Sequence, residues 1–332
     1  MNSDAYIYAS SKIRSLEQHL LSDADMTRVV EAKTPDIAFK AFNSLDYAGE
    51  LLDLEAKDYR VAMDRKMARL KKVLHHIVPD EDLHRLLFLE RDYFNIRFLL
   101  KLKAAGEEAK DLSELSPGLV KVDQLKRYII DELESDIDIK IQGDINDLRS
   151  EIGEATDPEK IANLVNQKMN KRNRELTEKI NNQFITDLYC YLTDMNNIRL
   201  FMRARRLEKS KSWFMERVNQ TGNIPADVYD NIYDASDDES LLTQMRIFLP
   251  SIIEPDLEEF AKDKGIWHIE LALHNVIIEH LQKAKIIGYG PEVVVAYFFA
   301  KKYAIKNLST IMALKFGEIE PVQIRKHLVN TF

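Results

Sequence analysis

The sequence is poor in the residues that break helices or crosslink a chain. Its 332 residues include 10 glycines, 9 prolines and 1 cysteine. Glycine and proline ordinarily supply about 7% and 5% of residues, so the turn residues of an all-β fold are missing. The single cysteine, Cys190, cannot form an internal disulfide, which fits a reducing intracellular setting. We therefore expect an all-α fold of long helices.

Long apolar runs and excess positive charge are missing as well. The longest purely apolar run is residues 293–300, whereas a membrane-spanning helix needs about 20 apolar residues. The opening residues, MNSDAYIYASSK, lack the regions of a secretory signal. A net charge of −8 provides no global field for nucleic acid. These absences predict a cytoplasmic protein that neither crosses a membrane nor binds nucleic acid.

Catalytic and cofactor motifs are also not found. The sequence has no P-loop for ATP and no HExxH zinc motif. His76, Glu81 and His84 are too loosely spaced for a metal site, and residues 138–149 carry basic residues at two ligand positions of a calcium loop. Cys190 has no histidine at motif spacing and is interpreted as a core thiol. We expect no catalytic residue, no cofactor and no metal.

What the sequence does contain is helical periodicity over most of its length. Helix starts are predicted at Thr34-Pro35, Pro79-Asp80, Asp157-Pro158 and Gly290-Pro291. Helix ends are predicted at Gly106, Gly222 and Gly317. Isoleucine alternates with polar residues over 136–142, but a lone strand is unstable, so this stretch is predicted to be a helix or a connector.

Clusters of turn-forming residues divide the chain into three parts. They lie at residues 112–118 and 221–227. The predicted domains are residues 1–115, 116–225 and 226–332. The acidic residues 234–240 are expected to form a solvated loop or helix start inside the third domain.

The three parts share a pattern. It reads DYFNIRFLLKLKAAG from Asp92, DMNNIRLFMRARRLE from Asp194 and AIKNLSTIMALKFGE from Ala304. The first two share Asp-x-x-Asn-Ile-Arg, and the third keeps only Asn-Leu, with Ala304 and Ser309 replacing the aspartate and the arginine. The asparagines Asn95, Asn197 and Asn307 are separated by 102 and 110 residues. A tripled helical domain explains these intervals most simply.

Each asparagine lies within an apolar stripe and is predicted to be buried. Because an unpaired buried amide costs about 1 to 3 kcal/mol, it needs a partner, and Asp92 and Asp194 lie three residues earlier on the same helix face. The favoured interpretation is a core hydrogen bond that fixes helix register. The alternative is a contact with another subunit.

Two arginines of the shared pattern are predicted to point away from the asparagines. Arg97 and Arg199 each lie two residues after an asparagine, about 200° round the helix. They are expected to face a partner or water.

The whole chain resembles the C subunit of bacterial and archaeal V/A-type rotary ATPases, the counterpart of the eukaryotic V-ATPase d subunit. The resemblance rests on YIYASSKIRSLEQHLL at residues 6–21, on the three asparagine-centred helices and on GEIEPVQIRKHL at residues 317–328. It runs nearly from end to end.

The resemblance implies three similar helical domains arranged as a funnel. Such a subunit is a non-catalytic adaptor on the cytoplasmic side of the membrane. Its partners are the proteolipid rotor ring and the central stalk, and it couples ATP hydrolysis or synthesis to H⁺ or Na⁺ transport. An acidic adaptor also predicts basic patches on those partners.

Two other functions are alternatives to the adaptor. A helical-repeat scaffold for a soluble assembly would use repeats of about 20 to 50 residues, shorter than the intervals here. An all-helical metal-dependent enzyme is suggested only by the many carboxylates and the 8 histidines.

Overall fold

The protein is all-α over the residues that the structure, a computed structural model, describes. These residues are 3–45, 53–108, 112, 115, 118–154, 156–235 and 238–332, and none of them forms a strand. The α-helices within them are α1 Ile7–Glu17, α2 Asp23–Val30, α3 Pro35–Asn43, α4 Tyr59–Ile77, α5 Glu81–Ala104, α6 Val122–Ile129, α7 Ile139–Ile152, α8 Pro158–Ile180, α9 Gln183–Arg206, α10 Lys211–Met215, α11 Ala226–Ile232, α12 Glu239–Phe248, α13 Glu254–Asp263, α14 Ile266–Gln282, α15 Pro291–Phe316 and α16 Pro321–Lys326. Short 3₁₀ helices cover Ser3–Tyr6, Ala56–Asp58, Ser251–Ile253 and Lys283–Ile286.

The predicted helix starts are confirmed, and side chains cap three of them. The Thr34 hydroxyl accepts a hydrogen bond from the Ile37 N–H at 3.2 Å. The Asp80 carboxylate accepts from the Asp82 N–H at 2.8 Å, and Asp157 caps α8 in the same way. Such caps satisfy N–H groups that have no partner inside the helix. The fourth predicted start, at Pro291, begins α15.

The predicted connector and two of the three predicted helix ends are also confirmed. Residues 136–138 are a connector, and α7 begins at Ile139. Gly106 follows the end of α5 with φ +66°, and Gly317 caps α15. The prediction for Gly222 is wrong, because α10 ends at Met215, well before it. Gly222 instead lies close against the Asp194 carboxylate.

The chain forms two compact units, and the second, Asp80–Asn182, contains α5 to α8. Helix α5 packs along α8 and against α6, and α7 packs on α8. A buried polar group joins three of these helices: the Tyr93 hydroxyl donates to the Asp144 carboxylate, and Arg172 donates to the same carboxylate at 2.8 Å. Burial of the phenol raises the pKa of Tyr93 above its usual range. Tyr93 is therefore a neutral donor here.

The first unit, Met1–Pro79 with Gln183–Phe332, is built around α15. Helix α15 contacts α1, α2, α3, α4, α9, α14 and α16. The C-terminal half of α15 contributes Leu308, Ile311 and Met312 to a core shared with α2, α3, α4 and α16. Helix α14 packs on α9 and α13. Because α15 is covered on several sides, it is apolar around much of its circumference rather than along one stripe.

The compact units and the predicted domains divide the chain at different places. The units divide at 79/80 and 182/183, just before α5 and α9. The domain boundaries at 115/116 and 225/226 follow the sequence repeat and stay a prediction. Four residues of the 112–118 segment and residues 236 and 237 of the 234–240 segment lie outside the described residues.

Candidate functional site

The three copies of the repeated pattern lie on the three longest helices within the described part of the chain. Helices α5 and α9 have 24 residues each, and α15 has 26. Asn95, Asn197 and Asn307 are all buried, as predicted, with exposed fractions of 0%, 2% and 3%. Their amides must therefore find hydrogen-bond partners within the protein.

Two of the asparagines form the same pair of hydrogen bonds, which we call the asparagine clamp. The Asn197 side-chain amide donates to the Asn219 carbonyl at 2.7 Å and accepts from the Asn219 N–H at 3.0 Å. The Asn307 amide bonds the Val329 carbonyl and N–H at 2.8 and 3.0 Å. In both cases the partner lies 22 residues further along the chain. The clamp holds a long helix to the segment that follows it.

The first copy has a proline at the same spacing. The position 22 residues after Asn95 is Pro117, which lies outside the described residues. Proline has no N–H to donate. Asn95 therefore cannot form the same two bonds with that position.

The aspartates of the pattern hold the following segment in a second way, which we call the aspartate clamp. The Asp92 carboxylate accepts from the Leu119 and Val120 N–H groups at 3.1 and 3.0 Å. The Asp194 carboxylate accepts from the Asn223 and Ile224 N–H groups at 2.9 and 3.0 Å. Burial raises the pKa of Asp194, although these bonds act to lower it. The third copy has Ala304 at this position and lacks the carboxylate.

A glycine makes room for each aspartate clamp. A Cβ atom on Gly118 would lie 2.0 Å from Asp92 Oδ1, and one on Gly222 would lie 2.2 Å from Asp194 Oδ1. Only glycine lets the backbone approach the carboxylate so closely. The sequence contains a signal for this contact, because a glycine follows each of the two aspartates at a similar distance. We instead interpreted Gly222 as a helix end.

The predicted partnership between aspartate and asparagine is wrong for the second copy. Asp194 bonds Asn223 and Ile224, and Asn197 bonds Asn219. The two side chains lie on one face of α9, as expected from their spacing, but each reaches a different part of the next segment. The predicted core hydrogen bond of the asparagine is present at Asn197 and Asn307.

The two arginines point away from the asparagines and contact other parts of the chain. The Arg97 guanidinium donates to the Asn166 side chain at 3.3 Å and lies 5.2 Å from the centre of the Phe94 ring. Burial lowers the pKa of Arg97 below its usual range. Arg199 instead reaches His274, with 2.9 Å between Nη2 and Nε2. The third copy has Ser309 at this position.

Arg199 belongs to a cluster that sequence reasoning missed. The His274 Nε2 atom accepts from both Arg199 and Lys306, and its Nδ1 atom is 3.0 Å from the Tyr303 hydroxyl. Glu270 Oε1 lies 3.4 Å from Arg199 Nε. These side chains come from α9, α14 and α15, and no spacing in one helix connects them. Only the packing of three helices brings them together.

The environment of Cys190 does not activate its thiol. The side chain is partly buried, and burial together with the charge of Asp194 raises the pKa of Cys190. A raised pKa keeps the sulfur protonated and poorly nucleophilic. Within the described ranges, no three His, Cys, Asp or Glu residues are grouped for a metal ion. No helix in those ranges has the length and apolar character needed to cross a membrane.

The contacts of the repeated pattern define an all-α protein whose polar motif residues hold long helices to later segments of the same chain. The chain belongs to the ATP synthase (C/AC39) subunit family, which it matches over residues 9–327. It is a non-catalytic member of its complex, as the sequence predicted. The resemblance noted from the sequence is confirmed.

Individual relatives match the chain over nearly its full length. It is 22% identical to the C subunit of the A-type ATP synthase of Methanocaldococcus jannaschii, over 98% of this chain and 86% of the relative. It is 21% identical to the C subunit of the A-type ATP synthase of Pyrococcus furiosus, over 97% of this chain and 89% of the relative. The likeness therefore extends across all three copies of the pattern.

Proposed function

We propose that this protein is the adaptor between the central stalk and the membrane rotor ring of a V/A-type rotary ATPase. It lies on the cytoplasmic face of the membrane, attached through the ring. It turns with the rotor and couples ATP hydrolysis or synthesis to H⁺ or Na⁺ transport. Its direct partners are stalk subunits and the proteolipid ring.

The observation that carries this proposal is the family match over residues 9–327. The relatives named above are subunits of A-type ATP synthases, and the same role is proposed here. The clamps add physical support. A part that transmits torque must be stiff, and each clamp ties a long helix to a later segment through buried or partly buried hydrogen bonds, which are costly to break.

We further propose that residues 1–115, 116–225 and 226–332 are three similar domains arranged as a funnel. The recurrence of the asparagine clamp in α9 and α15, and of the aspartate clamp in α5 and α9, supports the similarity of the three domains. The third domain lacks the aspartate and the arginine of the pattern. Its contacts with partners are therefore expected to differ from those of the other two.

The test is to purify the tagged protein from its own cells in mild detergent and to identify the co-purifying proteins by mass spectrometry. Recovery of rotary ATPase head, stalk and ring subunits in fixed proportions is expected. An untagged strain provides the control. A set of unrelated soluble partners would favour the helical-repeat scaffold and contradict the adaptor.

A further inference from the structure

The cluster around His274 has an excess of cations at an accessible place. Arg199 and Lys306 are positive, and Glu270 is the carboxylate that pairs with Arg199. The chain as a whole has a charge of −8. A local positive excess in an acidic protein is a feature that attracts an anion.

The protonation of His274 follows from its partners. Arginine and lysine side chains only donate hydrogen bonds, so the Nε2 atom that Arg199 and Lys306 both contact must be the unprotonated nitrogen. The proton is then on Nδ1, which donates to the Tyr303 hydroxyl. Burial first, and then the charges of Lys306, Arg199 and Lys302, lower the pKa of His274 to about 2. The imidazole is neutral and cancels no positive charge.

Arg199 pairs with Glu270, but Arg199 and Lys306 also share one neutral acceptor, the Nε2 atom of His274. Burial of the ammonium group, reinforced by the charges of Arg199 and Lys302, lowers the pKa of Lys306 to about 8, while Glu270 acts in the opposite sense. Both donor nitrogens are within hydrogen-bond distance of the same atom. A single incoming anion can therefore reach both of them.

The cluster is open to solvent on one side and held on the other. Lys306 is exposed as a residue, although its ammonium group is turned toward His274, and the side chains of Arg199 and Glu270 are 32% and 47% exposed. Behind them, His274 and Tyr303 are buried, at 6% each. The donors are therefore presented on a fixed base, which reduces the entropy lost on binding.

We propose that Arg199 and Lys306 form a binding site for a carboxylate side chain of a protein partner, with the neutral imidazole of His274 as the fixed support behind them. The choice of a protein carboxylate rests on the proposed function, which requires protein partners. The chemistry fits, because guanidinium and ammonium groups form charge-assisted hydrogen bonds with carboxylates. Arg97, the counterpart of Arg199, bonds the neutral amide of Asn166 instead.

The first experiment uses the isolated full-length protein and sodium succinate, with sodium chloride at equal ionic strength as the control. Histidine is labelled with ¹⁵N, and the His274 signal is assigned from its loss in His274→Gln. We expect a saturable shift of the His274 imidazole signal, absent in Lys306→Gln and kept in Lys262→Gln. Lys262 is an exposed lysine on α13, paired with Glu259. A shift that is absent, or unchanged in Lys306→Gln, overturns the site.

The same titration with inorganic phosphate separates the two sources of an anion. Succinate is expected to saturate the His274 shift at a lower concentration than phosphate. Saturation by phosphate at the lower concentration would assign the site to a free phosphate and overturn the carboxylate proposal. Affinity for succinate should fall above pH 8, because Lys306 then loses its proton.

The second experiment tests the partner. Lys306→Glu and Lys262→Glu are each introduced into the tagged protein, and stalk and ring subunits are quantified after purification. Charge reversal within the site should reduce recovery by about tenfold relative to the control. Equal recovery would overturn the assignment to a protein partner. If no rotary subunits are recovered with the unmutated protein, the proposed function fails, whereas the succinate titration still decides the anion site.

Discussion

Helices α9 and α15 are held to the segments that follow them in different ways. Helix α9 carries both clamps, with Asn197 on Asn219 and Asp194 on Asn223 and Ile224. Helix α15 carries only the asparagine clamp, with Asn307 on Val329, because Ala304 replaces the aspartate. The two clamps are therefore separable. The asparagine clamp is present without the aspartate clamp, and each can be tested alone.

The largest effect is expected from removing the asparagine clamp of α9. Asn197→Leu keeps the approximate shape of the side chain but leaves the Asn219 N–H and carbonyl without their buried partner. Each group left without a partner costs about 1 to 3 kcal/mol. The free energy of unfolding should fall by a similar amount in Asn307→Leu, because the two clamps have the same geometry.

Urea titrations of both variants measure this loss. Asn196→Leu is the matched control, since Asn196 is an exposed neighbour on the same helix. An Asn197→Leu protein as stable as Asn196→Leu would show that the clamp does not stabilise the fold.

The next largest effect is expected at the glycine of the aspartate clamp. In Gly222→Ala the new Cβ would lie 2.2 Å from Asp194 Oδ1, so the segment must move. Overpacking of this kind costs about 1 to 3 kcal/mol. Gly143→Ala is the control, because Gly143 lies inside α7 with open space around it. This substitution should raise the free energy of unfolding by about 0.5 to 1 kcal/mol. In thermal unfolding, we expect Gly222→Ala to lower the melting temperature and Gly143→Ala to raise it. A change in the same direction for both variants would contradict the role of Gly222.

A pH-dependent effect is expected from Asp194, which α15 lacks. Burial raises the pKa of Asp194 above its ordinary value of 3.8. The native state then keeps this proton to a higher pH than the unfolded state does. The stabilisation that comes from this difference in pKa is fully present when the pH is below the ordinary pKa of the aspartate. It is lost as the pH rises through the raised pKa of the native state.

The stability difference between the wild type and Asp194→Asn should therefore be larger at about pH 4 than at about pH 7. Urea titrations at several pH values measure it, with Asp227→Asn, an exposed aspartate on α11, as the control. A difference that grows with rising pH would show that the hydrogen bonds from the backbone outweigh burial.

The smallest effect is expected from adding an aspartate to α15. Ala304→Asp restores the aspartate of the pattern, but Asn330 and Phe332 stand at the spacings that Gly118 and Gly222 have from their aspartates. The half-buried position allows the new carboxylate to reach water. The cost should be the loss of helix propensity, about 0.5 to 1 kcal/mol. A gain in thermal stability would show that a new clamp had formed.

The sequence predicted the helices well because their signals are local. The caps at Thr34, Asp80 and Asp157 each act over three residues or fewer, and the apolar periodicity is a property of one helix at a time. The burial of Asn95, Asn197 and Asn307 was predictable for the same reason. Each asparagine interrupts an apolar stripe on its own helix.

The partners of those residues were not predictable in the same way. Residue type did not identify the partners Asn219, Val329 and Ile224, because they contribute backbone groups. Every residue except proline has both a backbone N–H and a backbone carbonyl. Gly222 was misinterpreted because a glycine required by a close approach resembles one that ends a helix. Its purpose becomes visible only when Asp194 is placed against it.

The sequence by itself determined the all-α class, the helix starts, the repeated asparagine and the family. These depend on periodicity, capping and residue order along the chain. Tertiary structure alone decided which backbone groups fill the clamps, and it alone brought Arg199, His274 and Lys306 together from α9, α14 and α15. The physical reason is distance along the chain. Hydrogen bonds between residues 22 to 75 positions apart depend on how whole helices pack, and packing is set by many side chains at once.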